Sequence, residues 1–331
     1  MDYLKPYKGS TILITGSAGL VGSNLTKALI KADVKRIISL DDLSAAEKWN
    51  VPVDQKVEFI EGDICDDEVL KRVFAYKPDY VFHLAAHFAN QNSVDNPLID
   101  LWANGGGLLK VLQYSNLTGI KRLVFASSGC SVYGSKAPLP LKEDFVSLHL
   151  DTPYQITKLL GELYCNFYFN YYHLPIVCAR YFNIFGPGEI PGAYRNVIPN
   201  FMFWAMNDKP LPITGTGEET RDFTYVEDII QGTLLCGCVE GVEGKAFNLA
   251  SQTETKIIDL ANMVLRVTGS DSKIVYKERR DWDEITRRCA SIEKARKELG
   301  YNPTMNVKKG IDNVHKWMIE NEDNIWESAR F

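Results

Sequence analysis

The run Thr11-Ile12-Leu13-Ile14-Thr15 is rich in β-branched residues and passes without a break into Gly16-Ser17-Ala18-Gly19-Leu20-Val21-Gly22. From Gly19 to Lys31 the apolar residues then recur at helical spacing. A strand that turns on glycines straight into a helix restricts the chain to few architectures. Such a turn lets backbone approach an anionic group closely, and the helix N-terminus offers its unpaired N–H groups to that charge. The spacing predicts a dinucleotide cradle formed by Gly16, Gly19, Leu20, Val21 and Gly22.

The same alternation repeats downstream. Arg36–Leu40, Lys56–Ile60, Tyr80–Leu84 and Arg122–Ala126 read as buried parallel strands, and Asp66 to Tyr76 and Pro97 to Asn116 carry a helical period. Ile176–Ala179 adds a strand, after which a stretch rich in Pro and Gly, residues 186–215, ends the strict alternation. The expected fold is α/β, a Rossmann-type doubly wound parallel sheet with a smaller C-terminal substrate-binding region. The division is 1–185 for the dinucleotide-binding domain and 186–331 for the substrate region. Residues 216–251 partly return to the main sheet through Ala246–Ala250.

With 331 residues, 45% hydrophobic and 24% charged, the chain can build one large core and a smaller one, so disorder and coiled coil are excluded. The net charge of -5 argues against nucleic acid as partner. No apolar run is long enough for a membrane span, and the opening residues lack the apolar centre of a signal peptide, so a cytoplasmic location is expected. The seven cysteines lie mostly in apolar segments, and Cys236 and Cys238 have no His or Cys cluster beside them; neither a disulfide framework nor a metal site is expected.

Nineteen residues past Gly22 the second strand ends in Asp41-Asp42, where a carboxylate suits ribose hydroxyls and repels a 2′-phosphate, favouring NAD over NADP; a solvated turn is the alternative. Asp63 and Ile64 follow the third strand at a position suited to the adenine edge. Further on, Asp151, Thr152 and Pro153 introduce a helix that carries Tyr154 and Lys158 on one face. A phenol is a poor base at neutral pH, but a neighbouring ammonium and an oxidised nicotinamide favour the phenolate.

In order, GSAGLVG (16–22), LDD (40–42), GDI (62–64), HLAA (83–86), Asn104, SSGCSVYG (127–134), YQITK (154–158), RYFNIFGPG (180–188), RDFTYVED (221–228) and FNLAS (247–251) cover nearly the whole chain. The chain resembles the extended short-chain dehydrogenase/reductases, specifically the NAD-dependent nucleotide-sugar epimerase/dehydratase family. The resemblance implies that Tyr154 removes a proton from a sugar hydroxyl, and that Lys158 binds the nicotinamide ribose and lowers the tyrosine pKa. It also implies that Leu84, Ala85 and Ala86 line the cofactor, that Asn104 holds that wall, and that His83 is structural. Asn183 and Arg221 match contacts to the substrate diphosphate, with a loop-backbone contact and an ion pair to Asp222 as the alternatives. Arg279, Arg280, Arg287 and Arg288 compete for a second arginine, of which Arg280 is taken. The aromatic stripe Tyr164, Phe167, Tyr168, Tyr171 and Tyr172 is core or interface, and with the helix from Pro97 to Asn116 it implies a homodimer or larger homo-oligomer.

Two positions depart from the family pattern. Where members carry a catalytic Ser or Thr, five residues before Gly134, this chain has Gly129; the loss of one such donor costs on the order of 10²-fold in rate unless replaced. Ser128 is the chosen replacement, with Cys130 and Ser131 behind it. Where 4,6-dehydratases carry Asp-Glu, the chain has Cys130-Ser131, which cannot act as that acid/base pair. The reading is a 4-epimerase working by hydride transfer at sugar C4 through a 4-keto intermediate. The alternatives are a C4 dehydrogenase or 4-ketosugar reductase that releases its product, and a non-catalytic dinucleotide sensor.

Overall fold

The computed structural model describes residues 2–283 and 285–331. β1 (Thr11–Thr15), α1 (Leu20–Lys31), β2 (Arg36–Asp41), β3 (Val57–Glu61), α2 (Asp67–Phe74) and β4 (Tyr80–His83) come first. Then follow α3 (Asn90–Asp95), the single turn α4 (Pro97–Asp100), a π-type segment over Leu101–Gly107, α5 (Leu108–Thr118), β5 (Arg122–Ser128), α6 (Pro153–Tyr172) and β6 (Ile176–Tyr181). The remainder holds β7 (Ile184–Phe185), α7 (Val197–Met206), β8 (Leu211–Thr214), β9 (Thr220–Asp222), β10 (Thr224–Tyr225), α8 (Val226–Cys238), β11 (Ala246–Leu249) and β12 (Glu254–Lys256). The chain finishes with α9 (Ile257–Thr268), β13 (Ile274–Lys277), α10 (Glu293–Leu299), α11 (Val307–Glu320) and α12 (Glu322–Ser328).

Seven parallel strands form the central sheet in the order β3-β2-β1-β4-β5-β6-β11. The strand order reverses at β1, which pairs with both β2 and β4, and there the C-terminal strand ends open the crevice in which such sheets bind ligands. Both faces are covered, which is why β1 is buried along its whole length. Its Ile12 and Ile14 pack into one layer and Leu13 into the other. Each such side chain contributes roughly 1.5–3 kcal/mol by leaving water. β11 extends the sheet beyond β6, pairing Ala246 with Cys178 and Leu249 with Tyr181.

The structure differs from the sequence reading at residues 97–116, where one regular helix is expected. Its middle, Leu101-Trp102-Ala103-Asn104-Gly105-Gly106-Gly107, widens into a π-type turn. Three consecutive glycines weaken the α-helical preference there, and the wider turn carries the Asn104 side chain inward. Among the described residues no helix is long and apolar enough to cross a membrane.

Candidate active site

The glycine loop and the chain after β4 meet backbone to backbone. A Cβ on Gly16, whose φ is +71°, would lie 2.6 Å from Ala85 N, and one on Gly22 would lie 2.3 Å from Gly16 O. Only glycine permits this approach. It brings the start of α1, with Gly19, Leu20 and Val21, close to the part-buried Leu84, Ala85 and Ala86, backbone surface of the kind that binds a pyrophosphate-containing dinucleotide. Asp41 accepts from the Ala18 N–H (2.9 Å) and the Leu43 N–H (2.9 Å), so it braces the glycine loop. Each carboxylate oxygen has a second acceptor site, which leaves room for ribose hydroxyls. Burial pushes its pKa up, and the hydrogen bonds from Ala18 and Leu43 oppose that. Asp42 points out and caps its own turn through Ser44. Asp63 is exposed and accepts from Cys65 N–H at 2.8 Å, while Ile64 is buried beneath it.

α6 starts where Thr152 caps the N–H of Gln155 (3.4 Å) with Pro153 in the first turn, and it ends at His173 in the left-handed region. Its register buries Tyr154 and Lys158 together. Lys158 Nζ donates to Ala126 O at 2.9 Å and stands 5.6 Å from the centre of the Tyr154 ring. Burial drags the Lys158 pKa down to about 8, whereas the Tyr154 phenol is pushed up, first by burial and then by the charge of Asp100. His83 bonds Thr15 Oγ1 (2.8 Å) and burial lowers its pKa to about 3, so it is a neutral structural group. Asn104 accepts from the His87 N–H (2.9 Å) and donates to the His87 carbonyl (3.2 Å), pinning the wall after β4.

Gly129 sits against the ring of Phe182: a Cβ there would lie 1.9 Å from the ring edge. Of the three serines around it, Ser127 turns toward α6 and bonds Glu162, and Ser131 is fully buried. Ser128, the last residue of β5, alternates toward the opposite layer and keeps partial exposure, with its Oγ accepting from Ser131 Oγ at 2.9 Å. Cys130 donates its thiol to Asn183 Oδ1 (3.3 Å), which draws the loop after β5 to the chain after β6.

Arg221, on β9, is largely buried and 3.5 Å from Asp283. Burial and then the neighbouring Arg288 lower its pKa. The alternative partner, Asp222, is instead consumed by Ser251, Gln252 and Ala290. Arg280 is exposed, its guanidinium over the ring of Trp282, whose indole N–H donates to Gln91 at 3.0 Å. Arg288 is buried beside Arg221, and among the described residues it has no acceptor; spacing alone could not rank it above Arg280. Sequence reasoning also missed Asn50, which donates to Ala18 O (2.7 Å) and Gly188 O (2.9 Å) and so ties the glycine loop to the chain after β7. No motif marks it. Among the described residues no cluster of His, Cys, Asp and Glu could hold a metal ion.

The profile of the NAD dependent epimerase/dehydratase family matches residues 12–250. A UDP-glucose 4-epimerase of Mycolicibacterium smegmatis is 31% identical over 302 residues, covering 90% of this chain and 95% of that one. Among solved structures, the epimerase Mth375 of Methanothermobacter thermautotrophicus superposes with a TM-score of 0.99 at 54% identity, over 100% of this chain and 98% of that chain. The Bordetella bronchiseptica enzyme WbmF in complex with NAD+ and UDP gives 0.85 at 35% identity, over 98% of this chain and 96% of that one. The backbone cradle, the buried Tyr154–Lys158 pair and these likenesses agree: the chain belongs to the NAD dependent epimerase/dehydratase family.

Proposed function

We propose that this enzyme is an NAD-dependent nucleotide-sugar 4-epimerase that acts on a UDP-sugar. The observation that carries the reading is the buried Tyr154–Lys158 pair beside the cofactor wall, together with Cys130 and Ser131, which offer no acid/base pair for dehydration. The relatives named above, a UDP-glucose 4-epimerase and an enzyme crystallised with UDP, support the substrate class.

Gly16, Gly19, Leu20, Val21, Gly22, Asp41 and the 84–86 wall would hold NAD, with Asp42, Asp63 and Ile64 at its adenosine end and Asn104 behind the wall. Bound there, NAD supplies the redox partner that takes up and returns the hydrogen on sugar C4. Tyr154 accepts the proton of the C4 hydroxyl and gives it back once the 4-keto sugar has presented its other face. Lys158 stabilises the phenolate by its charge and binds the nicotinamide ribose with the N–H groups that Ala126 leaves free. Ser128 takes the part of the missing hydroxyl: Ser131 donates to it, so its own hydrogen is free for the sugar oxygen. Asn183, Arg221 and Arg280 bind the diphosphate, and Arg288 beside Arg221 adds a second positive charge that a bound diphosphate would neutralise.

Incubation of the NAD-loaded protein with UDP-glucose, UDP-N-acetylglucosamine and UDP-glucuronate tests this. The expected result is the C4 epimer with no net NADH; a released ketosugar with stoichiometric NADH would replace the reading by the C4 dehydrogenase, which the loss of a hydroxyl at Gly129 favours. No turnover of any sugar with NAD bound would leave the sensor.

The enzyme is further proposed to be a homodimer. Ile156, Leu163, Phe167 and Tyr171 on α6 and Leu98 and Trp102 before α5 are all exposed, an apolar surface of the kind that marks an interface. Leu163→Glu with Tyr171→Glu is expected to halve the mass seen by light scattering; an unchanged mass would refute this interface.

A further inference from the structure

Behind Tyr154 and Lys158 lies a fully buried carboxylate, Asp100, at the end of α4. Its oxygens accept from Thr157 Oγ1 (2.7 Å) and Asn104 Nδ2 (2.9 Å). Thr157 stands in the same turn of α6 as Tyr154 and Lys158, and Asn104 holds the backbone of His87 in the cofactor wall. One carboxylate therefore joins the catalytic helix to the wall. His87 Nδ1, buried and without a hydrogen-bond partner among the described residues, lies 3.9 Å from the same group.

A charge removed from water is costly unless an opposite charge and hydrogen bonds compensate it. Lys158 is likewise buried, and its one described acceptor is the neutral carbonyl of Ala126. We propose that Asp100 is a positioning residue for proton transfer: it keeps Lys158 an ammonium within the protein and, through Thr157 and Asn104, sets the Tyr154 turn of α6 against the cofactor wall. The proposal rests on Tyr154 as the base.

The titratable groups facing this centre are Tyr154, Lys158 and Cys165 from α6, His83 at the end of β4, His87 in the chain after it, and Cys130 from the loop after β5. The fields have consistent signs. Burial lowers the Lys158 pKa and Asp100 works against it; burial raises that of Tyr154 and Asp100 adds to it. Removing the negative charge with Asp100→Asn therefore makes Lys158 lose its proton at lower pH and lets Tyr154 ionise at lower pH. Both limbs of the pH–rate profile are expected to move down by about one unit, with roughly a fivefold loss of rate on the alkaline side. Thr157→Val removes a hydrogen bond and keeps the charge, so it lowers the rate with both limbs in place. A merely structural Asp100 would behave like Thr157→Val, and fixed limbs in Asp100→Asn would overturn the proposal.

A second readout needs no sugar, so it stands even if the epimerase reading fails. The Lys158 side chain is titrated by NMR in the NAD-loaded protein with carbon-labelled lysine, assigned by its loss in Lys158→Met. Its midpoint is expected to fall by about one unit in Asp100→Asn. An unchanged midpoint would overturn the proposal. Should the Asn variant fail to load NAD, Asp100→Ala is titrated with and without formate. Formate is expected to raise the midpoint, and no movement would count against Asp100.

Discussion

Tyr154→Phe is expected to lower kcat by about 10³-fold while the purified protein keeps its NAD, measured by epimer formation and by the cofactor released on denaturation. The substitution removes one oxygen from a side chain that is already buried, against Phe88 in the chain after β4. The ring can keep its edge-on contact with Phe88, 5.9 Å between centroids, so folding and the groove should survive. What disappears is the only group in the reading that accepts and returns the C4 hydroxyl proton. Burial and then the charge of Asp100 favour the neutral phenol; an ammonium on Lys158, 5.6 Å from the ring centre, works the other way and favours the phenolate. Turnover within a factor of about ten of the parent enzyme would assign the base elsewhere.

The parts of this enzyme legible in the sequence are those where local chemistry and fold coincide. Thr11–Thr15 is both a strand buried along its whole length and the run that leads into the glycine turn, so pattern and position agree. The Tyr154–Lys158 spacing places both side chains on one helical face whatever the helix packs against. Groups defined by contacts between distant segments were hidden. Asp100 reaches Thr157 across 57 residues, and Asn50 reaches Gly188 across 138. Arg288 stands beside Arg221 because the chain after β13 returns to β9, where Thr220 N–H bonds Thr286 O at 2.9 Å. The widened turn at Asn104 was hidden for another reason: its apolar spacing is that of a regular helix, and only the side-chain bonds to His87 and Asp100 reveal what the extra width serves.

Gly129→Ser should restore the family's hydroxyl on paper, yet it is expected to cost activity. The space that a side chain needs is filled. The new Cβ would lie 1.9 Å from one edge carbon of Phe182 and 2.3 Å from the next, and Phe182 is wholly buried, packed beside Tyr133. Either the ring moves into a filled core or the 128–131 loop moves away from Asn183, breaking the Cys130 contact and the Ser131–Ser128 bond. Overpacking of this kind costs about 1–3 kcal/mol, which denaturant unfolding would register, and displacement of the Ser128 donor would lower kcat on the order of 10²-fold. Phe182→Leu alone opens space and leaves the loop where it is; combined with Gly129→Ser it should recover much of the lost stability, because the clash is with the ring. If Gly129→Ser alone raised kcat with unfolding unchanged, the hydroxyl would be missing rather than replaced, and Ser128 would have no part in the reaction.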